Sequence, residues 1–166
     1  MAAGMLAAFT VGADVTLTPE VRIVADDTPP VVRQAAAELK QWLEQSFRRA
    51  LTAGEGAPEI RLQYRADGDP EAWEIVVDGE AHAVTIAGGR RGILYGVCEL
   101  LERFAGIRFL DEHVSLVPER DALQLPEGRI AGRPYFRIRQ IYDNLDWYDD
   151  SIAFKVRNKG LTYAPP

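Results

Sequence analysis

The sequence predicts an α+β fold: a mixed sheet of about five strands with two helices, both on one face. Three observations carry that expectation. Two amphipathic stripes of helical period, over 30–51 and 91–105, stand among short runs rich in β-branched residues. An Asp78-Gly79 signal between two such runs makes at least one strand pair an antiparallel hairpin. Two helices are too few to cover both faces of such a sheet, so a two-layer arrangement is the simplest.

Along the chain, Val15–Leu17 and Val21–Val24 read as strands divided by Thr18-Pro19. Asp26-Asp27-Thr28-Pro29-Pro30 is a helix start signal, with capping side chains followed by prolines tolerated in the first turn. The helix should run to about Leu51. Val32, Ala35, Ala36, Leu39, Leu43 and Phe47 form its buried stripe, with Trp42 at the edge. A strand over Ile60–Tyr64 lies between polar loops, and Trp73–Val77 with Ala83–Ala87 forms the hairpin.

Gly88 and Gly89 then allow a sharp turn through their freedom at positive φ. The next helix buries Ile93, Leu94, Val97, Leu100, Leu101 and Phe104 and turns Glu99, Glu102 and Arg103 outward. Gly106 stands where a C′ glycine stops a helix, and Ile107–Leu110 resumes as a strand. A strand–helix–strand unit of this length should cross over right-handed and leave its strands parallel. Val114–Val117 adds a small strand, 119–134 reads as a proline- and glycine-punctuated linker, and Tyr135–Ile141 alternates as one more strand.

At 166 residues with 47% hydrophobic content the chain suits one domain with a piece of another. A net charge of −6 without a basic block argues against a nucleic-acid surface. The first dozen residues are apolar but lack a positive leading region and are too short to span a bilayer. They fit either the remnant of a signal or a leading strand. With no other segment near transmembrane length, the chain is expected to be soluble with no membrane partner, in a secreted, periplasmic or cytoplasmic setting.

Catalytic signals are sparse. GGRRG is neither GxGxxG nor a P-loop, and a tight turn with solvated arginines accounts for it. His82 and His113 lack any second ligand at zinc spacing, so no metal is expected. Ser46, Ser115 and Ser151 have no evident base, and Cys98 fits a buried, inert thiol. Adjacent acids such as Asp26-Asp27, Asp111-Glu112 and Asp149-Asp150 fit solvated loops. One polar cluster stands out, Arg137, Arg139, Asp143, Asn144 and Asp146 in FRIRQIYDNLD. If 135–141 is a strand, Arg137 and Arg139 point the same way, with the acids and amide just past its end. Such a group can clamp sugar hydroxyls or a sugar carboxylate. An edge strand with solvated arginines and a capping turn fits the spacing equally well.

The segments AAAELKQWLEQ and VTIAGGRRGILYGVCELLERFAGIRFL resemble the non-catalytic α+β domain that precedes the barrel in several glycoside hydrolases. Among these are the family 67 α-glucuronidases and the family 20 β-N-acetylhexosaminidases. RPYFRIRQIYDNLD resembles the α-glucuronidase barrel entrance, with Tyr142 where that family has tryptophan. The likeness spans roughly 15–146.

It implies an accessory α+β domain over 1–132, zincin-like in outline without a metal centre, and the first strand of a truncated (β/α)8 barrel over 133–166. It implies no cofactor, and no catalytic residue in this chain, because the carboxylates lie on later barrel strands. A substrate-contacting role falls to Arg139, Asp143 and Asn144. The implied partners are the barrel of a longer parent and that parent's carbohydrate substrate. The rival expectation is a free-standing carbohydrate-binding or interaction module, with Tyr135, Trp147 and Tyr148 stacking on sugar. The apolar tail should either fold back, placing Phe136 or Ile138 on the α+β domain, or drive self-association.

Overall fold

A computed structural model describes residues 13–25, 29–111, 113–136, 139 and 154–159. In chain order the strands and helices are β1 (Val15–Leu17), β2 (Arg22–Ala25), α1 (Pro30–Phe47), β3 (Glu59–Tyr64), β4 (Trp73–Asp78), β5 (Ala83–Gly88), α2 (Gly92–Leu100), β6 (Arg108–Phe109), β7 (Ser115–Leu116), β8 (Leu123–Leu125) and β9 (Gly128–Gly132). A π-helical turn over Leu101–Ala105 prolongs α2.

The main sheet has the order β2-β3-β5-β4-β9. β2, β3 and β5 run parallel, while β4 is antiparallel to both β5 and β9. Register sets the core. Ile23 stands beside Ile60, Ile60 beside Val84, and Val84 beside Val77. Ile86 stands beside Ile75, and Ile75 beside Ile130. With a side-chain period of two, all of these point to one face. Both helices pack on that face and touch each other. Val32, Ala35, Leu39 and Leu43 of α1, with Ile93, Val97 and Leu100 of α2, are wholly buried there. The five-stranded mixed sheet with its helices on one face is the architecture expected from the sequence.

Its membership differs in two places. Ile107–Leu110 does not return to the sheet as a parallel strand. Gly106 takes φ 74° at the end of the π turn and sends the chain aside, so β6 pairs only with β7, antiparallel. The intervening turn is fixed by Asp111, whose Oδ1 accepts the backbone N–H groups of His113 and Val114 at 2.7 Å. Nor is 119–134 merely a linker. It supplies β8, which pairs with β1, and β9, the last strand of the main sheet.

Local expectations are also adjusted. α1 ends at Phe47, because Arg48 turns to φ 54°. Pro29 is its N-cap and offers no side-chain hydrogen bond, with Pro30 at the first position; 26–28 lie outside the described residues. Neither Gly88 nor Gly89 has positive φ. Glycine is needed there because a Cβ would lie 2.4 Å from Ile93 N at Gly88 and 2.7 Å from Pro70 Cα at Gly89. Trp42 is buried rather than marginal. In the stretch 135–141 only 135, 136 and 139 are described, so the expected strand falls largely outside the described residues.

Candidate functional site

The side of the helix layer turned away from the sheet carries one of the polar clusters. Glu38 and Trp42 lie one turn apart on α1, Glu99 lies opposite the apolar stripe of α2, and Glu102 follows in the π turn. The helical turn at 154–157 and the two residues after it are seated on this surface. Arg157 makes a two-pronged contact, Nε and Nη2 donating to the two oxygens of Glu38 at 3.1 and 3.0 Å. Trp42 Nε1 donates to the same carboxylate at 2.9 Å. The guanidinium stands 5.1 Å from the centre of the Trp42 ring and 5.4 Å from that of Phe109, within cation–π range. The two rings meet edge to face at 5.1 Å. Phe154 and Val156 pack against the core beside them.

Lys159 sits between two carboxylates, 3.0 Å from Glu99 and 3.5 Å from Glu102. Burial works against the charge on Glu99, yet hydrogen bonds from Arg103 and Lys159 prevail and hold its carboxyl below the usual range. The mirror case holds for Lys159. Burial disfavours its ammonium, but Glu99 and Glu102 raise it above the ordinary lysine value.

A second knot is centred on Glu71, just before β4. Its Oε1 accepts Arg139 Nη2 at 2.7 Å and Tyr95 Oη at 3.3 Å, with Arg91 Nη1 at 3.6 Å. Tyr95 is wholly buried; burial first, then the charge of Glu71, pushes its phenol upward. Arg139 also donates through Nε to the Lys159 carbonyl at 2.6 Å and through Nη1 to the Phe136 carbonyl. Burial opposes its charge, but Glu71 and Tyr95 together leave it more firmly protonated than usual. One side chain thus joins 136, 159 and the loop before β4.

On the other face of the sheet Glu74 is buried, with Arg65 Nη2 at 2.6 Å and Arg129 against its second oxygen. Burial raises its carboxyl, and the two arginines more than reverse that. An open recess of about 370 Å³ beside β2 and β3 is lined by Arg22, Glu59, Arg61 and His82 among others. Its guanidiniums are already paired, Glu59 lying 3.4 Å from Arg22 and 2.8 Å from Arg61. Among the described residues no group of three or more His, Cys, Asp or Glu is placed to hold a metal ion. None of their helices is long and apolar enough to cross a membrane.

Of the expected substrate cluster, Arg139 is described and lies in the Glu71 knot. Arg137, Asp143, Asn144 and Asp146 lie outside the described residues. Within GGRRG, Arg90 is exposed while Arg91 faces Glu71. Cys98 is 4% exposed, and burial pushes its thiol up to about 12, consistent with an inert group. Of the described tail residues, Phe154, Val156, Arg157 and Lys159 contact the α+β body. Phe136 is 66% exposed and Ile138 is outside the described residues. Arg157, Lys159, Glu38 and Glu71 were not singled out from sequence, where each is one charge among many. The only hint was three cations in the five residues 155–159 facing a net acidic chain.

No family model and no curated protein sequence matches this chain. Solved structures do. A family 20 β-N-acetylhexosaminidase from Streptomyces coelicolor superposes with a TM-score of 0.58 at 20% identity, over 79% of this chain and 26% of that one. The N-acetyl-β-hexosaminidase of Streptomyces plicatus gives 0.55 at 21% identity, over 79% and 25%. The family 20 exo-β-N-acetylglucosaminidase of Vibrio harveyi, in complex with N-acetylglucosamine, gives 0.55 at 16% identity, over 80% and 18%. The chain therefore has the fold of a part of these family 20 enzymes, and it spans about a quarter or less of their length.

Proposed function

We propose that this chain is the accessory α+β portion of a carbohydrate-degrading glycoside hydrolase, with no catalytic machinery of its own. The observation that carries the reading is the lopsided coverage, 79–80% of this chain against 18–26% of the enzymes it resembles. In the parent, the outer side of the helix layer serves as the seat for the catalytic barrel. The Glu38–Arg157 and Glu71–Arg139 contacts, where residues after 132 already meet this body, support that reading. The parent would cleave a glycosidic bond with two carboxylates supplied beyond this chain.

Two sugars compete. The fold likeness points to an N-acetyl-β-hexosaminide, whereas RPYFRIRQIYDNLD favours an α-glucuronide, with Arg139, Asp143 and Asn144 touching the sugar. The purified chain should turn over neither an aryl N-acetyl-β-hexosaminide nor an aryl α-glucuronide. Turnover of either, abolished by one carboxylate substitution, would overturn the accessory reading. Titration with glucuronate, followed by amide shifts, tests the site. Weakening by Arg139→Ala supports the sugar-contacting role, and the absence of any binding to the unchanged chain removes it.

A second reading, a free carbohydrate-binding module, draws on one observation. Tyr135 and Phe136 are 92% and 66% exposed, with their rings 5.0 Å apart. Aromatic planes so displayed suit stacking on a sugar face. Loss of sugar binding on Tyr135→Ala, with Arg139→Ala silent, would favour it.

A further inference from the structure

We propose that residues 154–159 form an ionic latch that lifts off the helix layer as a unit while sheet and helices stay folded. The inference stands on contacts within this chain and holds whether or not the parent is a glycoside hydrolase. Its footing is polar. Arg157 on Glu38 and Lys159 on Glu99 and Glu102 make charged contacts, Asn158 donates to the Phe109 carbonyl at 3.4 Å and Lys155 is 3% exposed, while the apolar share comes from Phe154 and Val156, both only partly buried. The side chains of these ion pairs keep between 15% and 27% of their exposure, so solvent and salt reach them. Beneath the latch the core is built of Leu39, Leu43, Val97 and Leu100, all wholly buried and held by the sheet. Segments secured by few apolar contacts open at lower free energy than the core does.

The molecule carries its own reporter. The single cysteine, Cys98, is on α2, and the charges acting on its thiol are Glu38 and Glu102 of the helix layer with Lys159 and Arg157 of the latch. Cys98 is 4% exposed and is next in sequence to Glu99, which holds Lys159 at 3.0 Å. In the proposal the latch lies over this thiol, so that lifting it gives a reagent access without unfolding the sheet.

The test is labelling of Cys98 in the full chain by a neutral thiol reagent under native conditions. Raising ionic strength to about 1 M, where screening acts over about 3 Å, should speed labelling about tenfold. Arg157→Gln should speed it about tenfold at low salt. Circular dichroism should show the sheet and helices intact throughout, and the urea dependence of labelling should be much shallower than that of global unfolding. Labelling that ignores salt, or that follows urea with the full slope of global unfolding, would overturn the latch. If Arg157→Gln does not fold, the salt series on the unchanged chain decides alone.

Discussion

Gly92 shows how little room separates α2 from the loop ahead of β4. A Cβ there would lie 1.9 Å from the Ala72 carbonyl oxygen, a backbone atom that no rotamer change can move aside. Gly92→Ala should therefore cost stability at the upper end of the overpacking range, about 3 kcal/mol, despite alanine's better helix propensity. Leu100 and Leu101, both wholly buried, should each cost about 2–5 kcal/mol as alanine. Glu102→Ala, which loses only a 3.5 Å contact to Lys159, should cost less than about 1 kcal/mol. Urea midpoints for the four variants check the order. Equal small losses at Leu100 and Glu102 would mean that α2 presents a different face to the sheet.

Between elements, the ion pairs tie stability to pH in a definite direction. The carboxyls of Glu99 and Glu74 are held low by basic neighbours that outweigh burial, and that of Glu44 by Lys40 and the Leu51 N–H. A depressed folded value means that each contribution is present above the ordinary carboxylate range and is lost as pH falls through the folded value. Lys159 works oppositely: its contribution is present below the ordinary lysine value and is lost as pH rises through its raised folded value. The urea midpoint should thus fall on acidification below about pH 4.5. Lys159→Met should flatten that fall without removing it, since Glu74 and Glu44 keep their partners; an unchanged acid limb in this variant would deny Lys159 any part in it.

The elements that were legible in the sequence are those whose pattern is local. The stripe of α1, the stripe of α2 and the hairpin after Asp78 each declare themselves within a dozen residues. β9 does not, because Gly-Arg-Ile-Ala-Gly carries one large apolar side chain and becomes a strand by pairing with β4. β6 was misplaced because the π turn and Gly106 redirect the chain after the helical pattern has ended. At the candidate site Arg139 drew notice for its strand-like spacing. Its partner Glu71 lies 68 residues away, and no spacing rule connects the two.

For the molecule as a whole, the seated tail changes what its removal should do. Ending the chain at Gly132 strips Arg157 from Trp42 and Phe109 and takes Lys159 from its carboxylates. The Trp42 and Phe109 rings then lose that cover, leaving a patch of the kind that drives association. The shortened chain should elute at higher apparent mass than the full one or scatter more light. A shift from dimer to monomer on truncation would mean that the tail itself joins copies.

The pairing of β1 with β8 carries one more consequence, for the order of events as the chain is made. Thr16 Oγ1 donates to Gln124 across 108 positions, so the first strand waits on almost the last. β9, which closes one flank of the sheet, is later still. A nascent chain that has emerged only as far as Arg120 holds β2, β3, β5 and β4 with the β4 flank bare and β1 unpartnered. Contacts that close such long loops contribute nothing until both ends are present. The five-stranded sheet is therefore complete only once the chain has been made through Gly132.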